Sequence, residues 1–92
     1  MANAIVTVKI MPEDPSVDLK AVELEATRIL DKMVGPGDRR VEVEPIAFGL
    51  KAVKLTFVVD EKKGSPDPVA EMLATIPHVQ SAEITDVRRA IG

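Results

Sequence analysis

The side chains that could do acid–base or nucleophilic chemistry are few in this sequence, and they are isolated from one another. His78 is the only histidine, and it lies between Pro77, which should end a helix, and Val79, which should open a strand. The serine hydroxyls have no candidate base beside them: Ser16, Ser65 and Ser81. Because general acid–base and nucleophilic catalysis need at least two such groups within hydrogen-bonding reach, we expect no catalytic residue.

Patterns for metal and phosphate binding are also missing. The chain has no cysteine. Its loop acids do not follow the spacing of a calcium-binding loop: Glu13, Asp14, Asp60 and Glu61. The stretch Gly35–Gly37 follows a predicted helix, whereas a glycine-rich phosphate loop opens one. We therefore expect neither a metal ion nor a cofactor.

Composition also limits the partners. The net charge is −3 and the chain has neither tyrosine nor tryptophan, so it offers no basic face and no stacking platform for nucleic acid. No apolar run is long enough to span a membrane, and the first four residues do not resemble a signal peptide. We expect a cytoplasmic protein that forms one domain over residues 1–92 and binds no nucleic acid or membrane directly.

The stretch Glu44–Lys51 is one of two features that a plain scaffold does not need. It is typical of a corner between two strands, because Pro45 cannot donate to a central ladder and Gly49 allows a sharp bend. Between them lie Ile46 and Phe48, two large apolar residues. Periodicity alone favours Phe48 as a plug for the end of the core, and the alternative is an anchor presented to a partner.

The second feature is the pair Arg88 and Arg89, which follows Asp86 at the end of the last predicted strand. Such a pair near a chain end is most often part of a solvated tail. The alternative is a pair of guanidinium groups directed at carboxylates or phosphate on a partner.

The elements that must position these residues follow the order β-α-β-β-α-β. Alternating apolar and polar residues predict the strands, and apolar residues three or four apart predict the helices. The first predicted strand covers Ile5–Ile10 and is ended by Met11–Pro15, and the first helix has an apolar stripe over Leu19–Met33, a cap at Ser16 or Asp18 and a stop at Gly35–Gly37. The second strand covers about Arg39–Glu44, and the third contains Val53–Val59. A polar loop over Asp60–Pro68, a helix over about Asp67–Ile76 and a strand over Val79–Val87 complete the chain. This order predicts an α+β, ferredoxin-like sandwich, with a four-stranded antiparallel sheet and both helices on one face.

Four segments carry a resemblance to a known family: Val8–Glu13, Val17–Leu19, Glu44–Leu50 and Ile84–Arg89. They resemble archaeal translation elongation factor 1-beta, in the same order and over essentially the whole chain. The most specific part is the Pro-Ile-Ala-Phe-Gly-Leu corner together with the Thr-Asp-Val-Arg-Arg terminus.

Members of that family are guanine-nucleotide exchange factors that do no covalent chemistry. The resemblance implies that this chain binds GDP-bound elongation factor 1-alpha, stabilises its nucleotide-free state and so promotes exchange of GDP for GTP during translation elongation. Phe48 matches a corner Phe that contacts the GTPase in the eukaryotic domain, which favours the anchor role over the core role. The implied partner-binding residues are Ile46, Phe48, Gly49, Asp86, Arg88 and Arg89. We expect the free protein to be a monomer.

One departure from the eukaryotic pattern concerns the carboxyl terminus. The eukaryotic domain has a Lys next to its last residue, and that Lys reaches into the magnesium site of the GTPase. Aligned from Thr85 and Asp86, this chain has Gly92 at that position and no Lys nearby. Our hypothesis is that Arg88 or Arg89 takes an equivalent electrostatic role. The alternative function is a non-catalytic regulatory or dimerisation module, in which the apolar corner is a dimer contact.

Overall fold

The computed structural model of the chain describes residues 3–35, 37–60, 62 and 65–90. Its elements are β1 (Asn3–Pro12), α1 (Leu19–Met33), β2 (Arg39–Pro45), β3 (Lys51–Asp60), α2 (Asp67–Leu73) and β4 (Val79–Ala90). The strands form one sheet in the order β2-β3-β1-β4, and every neighbouring pair is antiparallel. The predicted α+β, ferredoxin-like fold is confirmed. The predicted helix stop at Pro36, three positions of the polar loop (61, 63 and 64) and the terminal positions 1, 2, 91 and 92 lie outside the described residues.

The core lies between one face of the sheet and the two helices. Alternate residues of the central strands are buried, and the apolar stripes of both helices pack on them: Val6, Val8, Ile10, Val53, Leu55, Phe57, Val22, Ala26, Leu30, Val69 and Leu73. Strand alternation then directs the intervening residues, such as Thr7 and Lys9, to the side away from the helices. We call this side the open face.

Helix α1 begins and ends where the sequence predicts. Of the two candidate caps, Asp18 takes the position, because its carboxylate accepts hydrogen bonds from the backbone N–H groups of Lys20 and Ala21 at 3.0 and 3.4 Å. At the other end, Gly35 has a positive φ of 89°, and its N–H donates to the carbonyl of Leu30 at 3.0 Å. This left-handed closure is a common helix ending.

Three predicted boundaries are wrong. Strand β1 continues through Pro12, which pairs with Val79 beside a register irregularity where the missing N–H is tolerated. Helix α2 ends at Leu73, although Ile76 is still buried, because the chain passes into a series of turns there. Strand β4 continues beyond Val87 to residue 90, since it pairs with the beginning of β1.

A β-bulge interrupts the pairing of β1 with β4. Thr7 pairs with Asp86 and Val8 pairs with Ile84, so Thr85 is an additional residue on β4. Its hydroxyl lies 3.4 Å from the carbonyl oxygen of Thr7 and donates to it. Because the side-chain period of a strand is two, one additional residue reverses the face of every β4 residue beyond the bulge.

The far end of α1 is joined to β2 by Arg39. Its guanidinium donates to the carboxylate of Asp31 at 2.6 Å and to the carbonyl of Gly35 at 2.6 Å. The Arg39 side chain is only 14% exposed, so solvent screens these contacts less than it screens a surface pair. The contacts tie the helix C-terminus to the edge strand.

We therefore expect Arg39→Ala to lower the free energy of unfolding by about 1–2 kcal/mol, because it removes two charge-assisted hydrogen bonds. Urea unfolding followed by circular dichroism measures this. Arg40→Ala is the matched control, because that side chain is 76% exposed and its contact with Glu42 is longer, at 3.7 Å. Equal losses for the two variants would show that Arg39 does not join the two elements.

Candidate functional site

The corner between β2 and β3 is a closed turn. The strand ladder ends with the pair Pro45 and Lys51. Beyond it, the N–H of Ile46 donates to the carbonyl of Leu50 at 2.7 Å, and the N–H of Leu50 donates to the carbonyl of Ala47 at 3.3 Å. Ile46 and Leu50 are half-buried at the base of the turn. The chain between them is therefore held from both sides.

Phe48 lies at the tip of this turn with its side chain 96% exposed. Its backbone is left-handed, with φ 62° and ψ 31°, and Gly49 follows with φ 78°. The left-handed conformation costs a non-glycine residue roughly 1–2 kcal/mol. The ring also gains nothing from burial, so the interpretation of Phe48 as a core plug is wrong. A strained backbone that presents an exposed ring is typical of a binding element.

The loop from β1 to α1 lies at the same end of the sheet as the corner. The N–H of Glu13 donates to the carbonyl of His78 at 3.0 Å, and the Glu13 carboxylate is 3.4 Å from Nδ1 of His78. The histidine, itself left-handed with φ 68°, therefore links this loop to the start of β4. The hydroxyl and the N–H of Ser16 donate to Asp14 at 2.5 and 2.8 Å, and these hydrogen bonds hold the pKa of the Asp14 carboxyl below its ordinary value.

The charged candidates lie at the opposite end of the sheet. Arg88 pairs with Ile5 and Arg89 with Ala4, so the bulge places Arg88 on the open face and Arg89 on the side of the helices. The Nε of Arg88 donates to the carboxylate of Asp86 at 2.8 Å. The two arginines are therefore inside a strand and face in opposite directions, whereas the sequence predicts that both lie at the end of the last strand.

The structure does not bring the two sets of candidates together. Arg88 and Val58 both pair with Ile5, so they lie on one rung of the sheet. Val58 is seven positions from Lys51, the first β3 residue after the corner, and this spacing corresponds to roughly 23 Å along the strand. Ile46, Phe48 and Gly49 form one candidate contact and the Asp86–Arg88–Arg89 segment another.

The described residues contain no group of three or more His, Asp or Glu side chains placed to hold a metal ion. Nor do they include a helix long and apolar enough to cross a membrane. What the geometry offers is an exposed aromatic ring at one end and a guanidinium group held by a carboxylate at the other, which are groups suited to binding a protein.

Comparison with known proteins identifies the family of this chain. Residues 5–90 match the model of the EF-1 guanine nucleotide exchange domain. The chain belongs to that family. It is 40% identical to elongation factor 1-beta of Methanosphaera stadtmanae over 89 residues, which cover 97% of this chain and 98% of the relative. It is also 42% identical to elongation factor 1-beta of Methanoculleus marisnigri over 86 residues, covering 94% and 95% of the two chains.

Membership in this family supports a role in nucleotide exchange during elongation, and the matched range includes both candidate contacts. The sequence reasoning had singled out the tip of the corner but not Lys20 and Lys51, which line a groove next to Gly49. These two lysines come from α1 and β3. No local pattern connects them, so only the folded chain reveals the pair.

The exposure of Phe48 predicts an unusual contrast between the two phenylalanines of the chain. Phe48→Ala should change the free energy of unfolding by less than about 0.5 kcal/mol, because the ring has no core contacts to lose. Phe48→Gly should raise it by about 0.5 kcal/mol, since relief of the left-handed strain exceeds the added backbone entropy. Phe57→Ala, at a residue that is 2% exposed, should cost about 3–5 kcal/mol.

Chemical denaturation of the three variants beside the wild type measures these differences. A loss above 2 kcal/mol for Phe48→Ala would mean that the ring is packed in solution, contrary to its exposure in the structure.

Proposed function

We propose that this chain is a guanine-nucleotide exchange factor for elongation factor 1-alpha. It binds the GDP-bound GTPase, stabilises the nucleotide-free state and so promotes replacement of GDP by GTP. The observation that carries the proposal is the fully exposed, strained Phe48 in a chain of the EF-1 guanine nucleotide exchange domain family. In this proposal residues 1–92 act as one cytoplasmic domain that is monomeric when free.

The proposed activity requires no covalent chemistry. An exchange factor accelerates GDP release when it binds the nucleotide-free GTPase more tightly than the GDP-bound form. Because the coupling is reciprocal, the bound exchange factor lowers the affinity for GDP by the same factor. Tenfold weaker GDP binding corresponds to about 1.4 kcal/mol of such coupling. Surface contacts alone can supply this energy.

Phe48 is the proposed anchor of the complex, with Ile46 and Gly49 shaping the turn that presents it. A phenyl ring that enters an apolar pocket on a partner becomes desolvated, and residues of this kind often contribute 2 kcal/mol or more to binding. The turn is closed before the partner arrives, so little backbone entropy remains to be lost on binding. The left-handed backbone of Phe48 supports this role because it directs the ring outward. Within the described part of the fold, no contact of the ring offsets the unfavourable free energy of that conformation.

The segment that contains Asp86, Arg88 and Arg89 is the proposed second contact. Its distance from the corner means that a partner touching both ends must cover much of the 42 Å length of the molecule. Asp86 holds the guanidinium of Arg88 on the open face, so this group is oriented before binding. In the proposal, the positive charge of Arg88 or Arg89 competes with the magnesium ion that helps the GTPase to hold its phosphates.

Release of a fluorescent GDP analogue from elongation factor 1-alpha, chased with excess unlabelled GDP, tests the function. We expect the wild type to accelerate release, and Phe48→Ala to lower the exchange efficiency at least about tenfold by removing the anchor. Leu24→Ala is the matched control, because it removes a large apolar side chain that is 69% exposed on α1. No acceleration by the wild type would refute the exchange function.

The same samples distinguish the alternative of a regulatory or dimerisation module. Sedimentation equilibrium should give the mass of a monomer for the wild type and for Phe48→Ala alike. A stable dimer that depends on Phe48 and does not bind the GTPase would make the corner a contact between copies of the chain.

The proposed second contact, at Arg88 and Arg89, predicts a separate result. The double change Arg88→Glu, Arg89→Glu should slow GDP release at least about tenfold by placing like charge where positive charge is needed. The control is Arg28→Glu, Lys32→Glu, which makes the same change of net charge on α1. Exchange that is unaffected by the arginine changes would exclude the electrostatic role of this segment while leaving the corner contact intact.

A further inference from the structure

Most cationic side chains in the described part of the chain have a partner within the molecule. Lys9 and Lys54 both reach the carboxylate of Glu44, at 3.7 and 3.4 Å, and the arginines form ion pairs or other contacts as well. The exceptions are three lysines whose ammonium groups form no hydrogen bond or ion pair with another described residue: Lys20, Lys32 and Lys51.

Two of these three lysines line the same groove. It has a volume of about 410 Å³ and lies between the β1–α1 loop and the corner, where Gly49 forms part of its wall. Lys20 enters from the first turn of α1 and Lys51 from the start of β3, so the groove is continuous with the turn that carries Phe48.

The acidic residues of the groove are already engaged. Asp14 accepts both hydrogen bonds from Ser16, and Asp18 caps α1 by accepting from two backbone N–H groups. Their hydrogen-bonding capacity is therefore partly used inside the molecule, whereas the two ammonium groups keep all their donors available. The groove therefore has more free hydrogen-bond donors than free acceptors, which favours binding of external carboxylates over external cations.

The position of Lys20 is unfavourable for the free protein. The first turn of α1 contains no acidic residue, and a cation there opposes the helix dipole. No intramolecular ion pair compensates for it in the described chain. Further negative charge supplied by a partner would make the position more favourable.

We infer that this groove receives an acidic segment of the GTPase, whose carboxylates pair with Lys20 and Lys51 while Phe48 is anchored beside them. The inference rests on the proposed function and specifies the chemistry of the partner surface: an apolar pocket next to a group of Asp or Glu side chains. A protein segment fits better than a nucleic acid, because separate carboxylates can pair with Lys20 and Lys51 without running past Asp14 and Asp18, whereas a continuous phosphate backbone would pass both.

The test measures the dissociation constant of the complex with nucleotide-free elongation factor 1-alpha at low and at high salt. Lys20→Glu, Lys51→Glu should weaken binding about tenfold or more at low salt, because two attractive contacts become repulsive. The difference should narrow in high salt as the charges are screened. The neutral variant Lys20→Gln, Lys51→Gln should show a smaller loss in the same direction.

Lys32→Glu is the matched control, because Lys32 is also unpaired and lies at the other end of the same helix. It should leave binding within about twofold of the wild type, since it is remote from the groove. Thermal melts exclude misfolding, because Lys20→Glu places an acid in the first turn of α1 and should not lower the melting temperature.

This inference would be overturned if Lys20→Glu, Lys51→Glu bound the GTPase as tightly as the wild type does, or if Lys32→Glu weakened binding equally. The exchange function would still stand. A change in self-association without a change in GTPase binding would overturn this inference as well. Failure of the wild type to bind the GTPase would refute the proposed function, and with it this assignment of the groove.

Discussion

The pairing of β1 with strands on both sides is the constraint on which the rest of the structure depends. All ten residues of β1 pair with β4, and eight of them also pair with β3. Its inward side chains, including Val6 and Val8, have no exposed surface. The corner follows from the register of β3 and the arginine segment from the register of β4, so pairing with β1 sets the position of both along the sheet. β1 therefore acts as a fixed spacer between the two candidate contacts.

The stability of this frame explains how the corner can keep an unfavourable conformation. A left-handed Phe would relax to an ordinary turn if the neighbouring chain were free. The β2–β3 ladder and the two hydrogen bonds around Ala47 and Leu50 prevent this relaxation. The cost is small compared with the burial of Phe57 and the other core residues, so the fold tolerates it. Strain and exposure occur together in the segment where binding is proposed, and the core contains neither.

Local patterns were sufficient to predict most of the fold. The apolar stripe of α1 predicted its bounds, and the alternation of β1 and β3 predicted which of their residues are buried. What failed depended on partners distant in sequence. The bulge at Thr85 and the extension of β4 arise from pairing with β1, and no pattern within β4 predicts them. Periodicity also misassigned Phe48, since a single apolar residue in a turn has no period.

The candidate site likewise combines features that neighbouring residues predict with features that depend on partners distant in sequence. The identity of the corner was recognisable from consecutive residues, because a turn is built from neighbours. The position of Arg88 and Arg89 on opposite faces was not, because the bulge determines it. The lysines of the groove were beyond sequence reasoning altogether: each is an ordinary surface lysine until the fold brings α1 and β3 together and leaves both without a partner.

These features also bear on which partner changes conformation in the proposed function. The described elements share one core, and both proposed contacts are fixed to the same sheet. A rigid surface of this kind binds best to the GTPase conformation whose own contacts match its spacing. Differential affinity for the nucleotide-free state then follows if that state, and not the GDP-bound one, presents an apolar pocket and an arginine-binding surface at the separation set by β1. In the proposed function, GDP is thus released by rearrangement of the GTPase, and the sheet of this chain serves as the template.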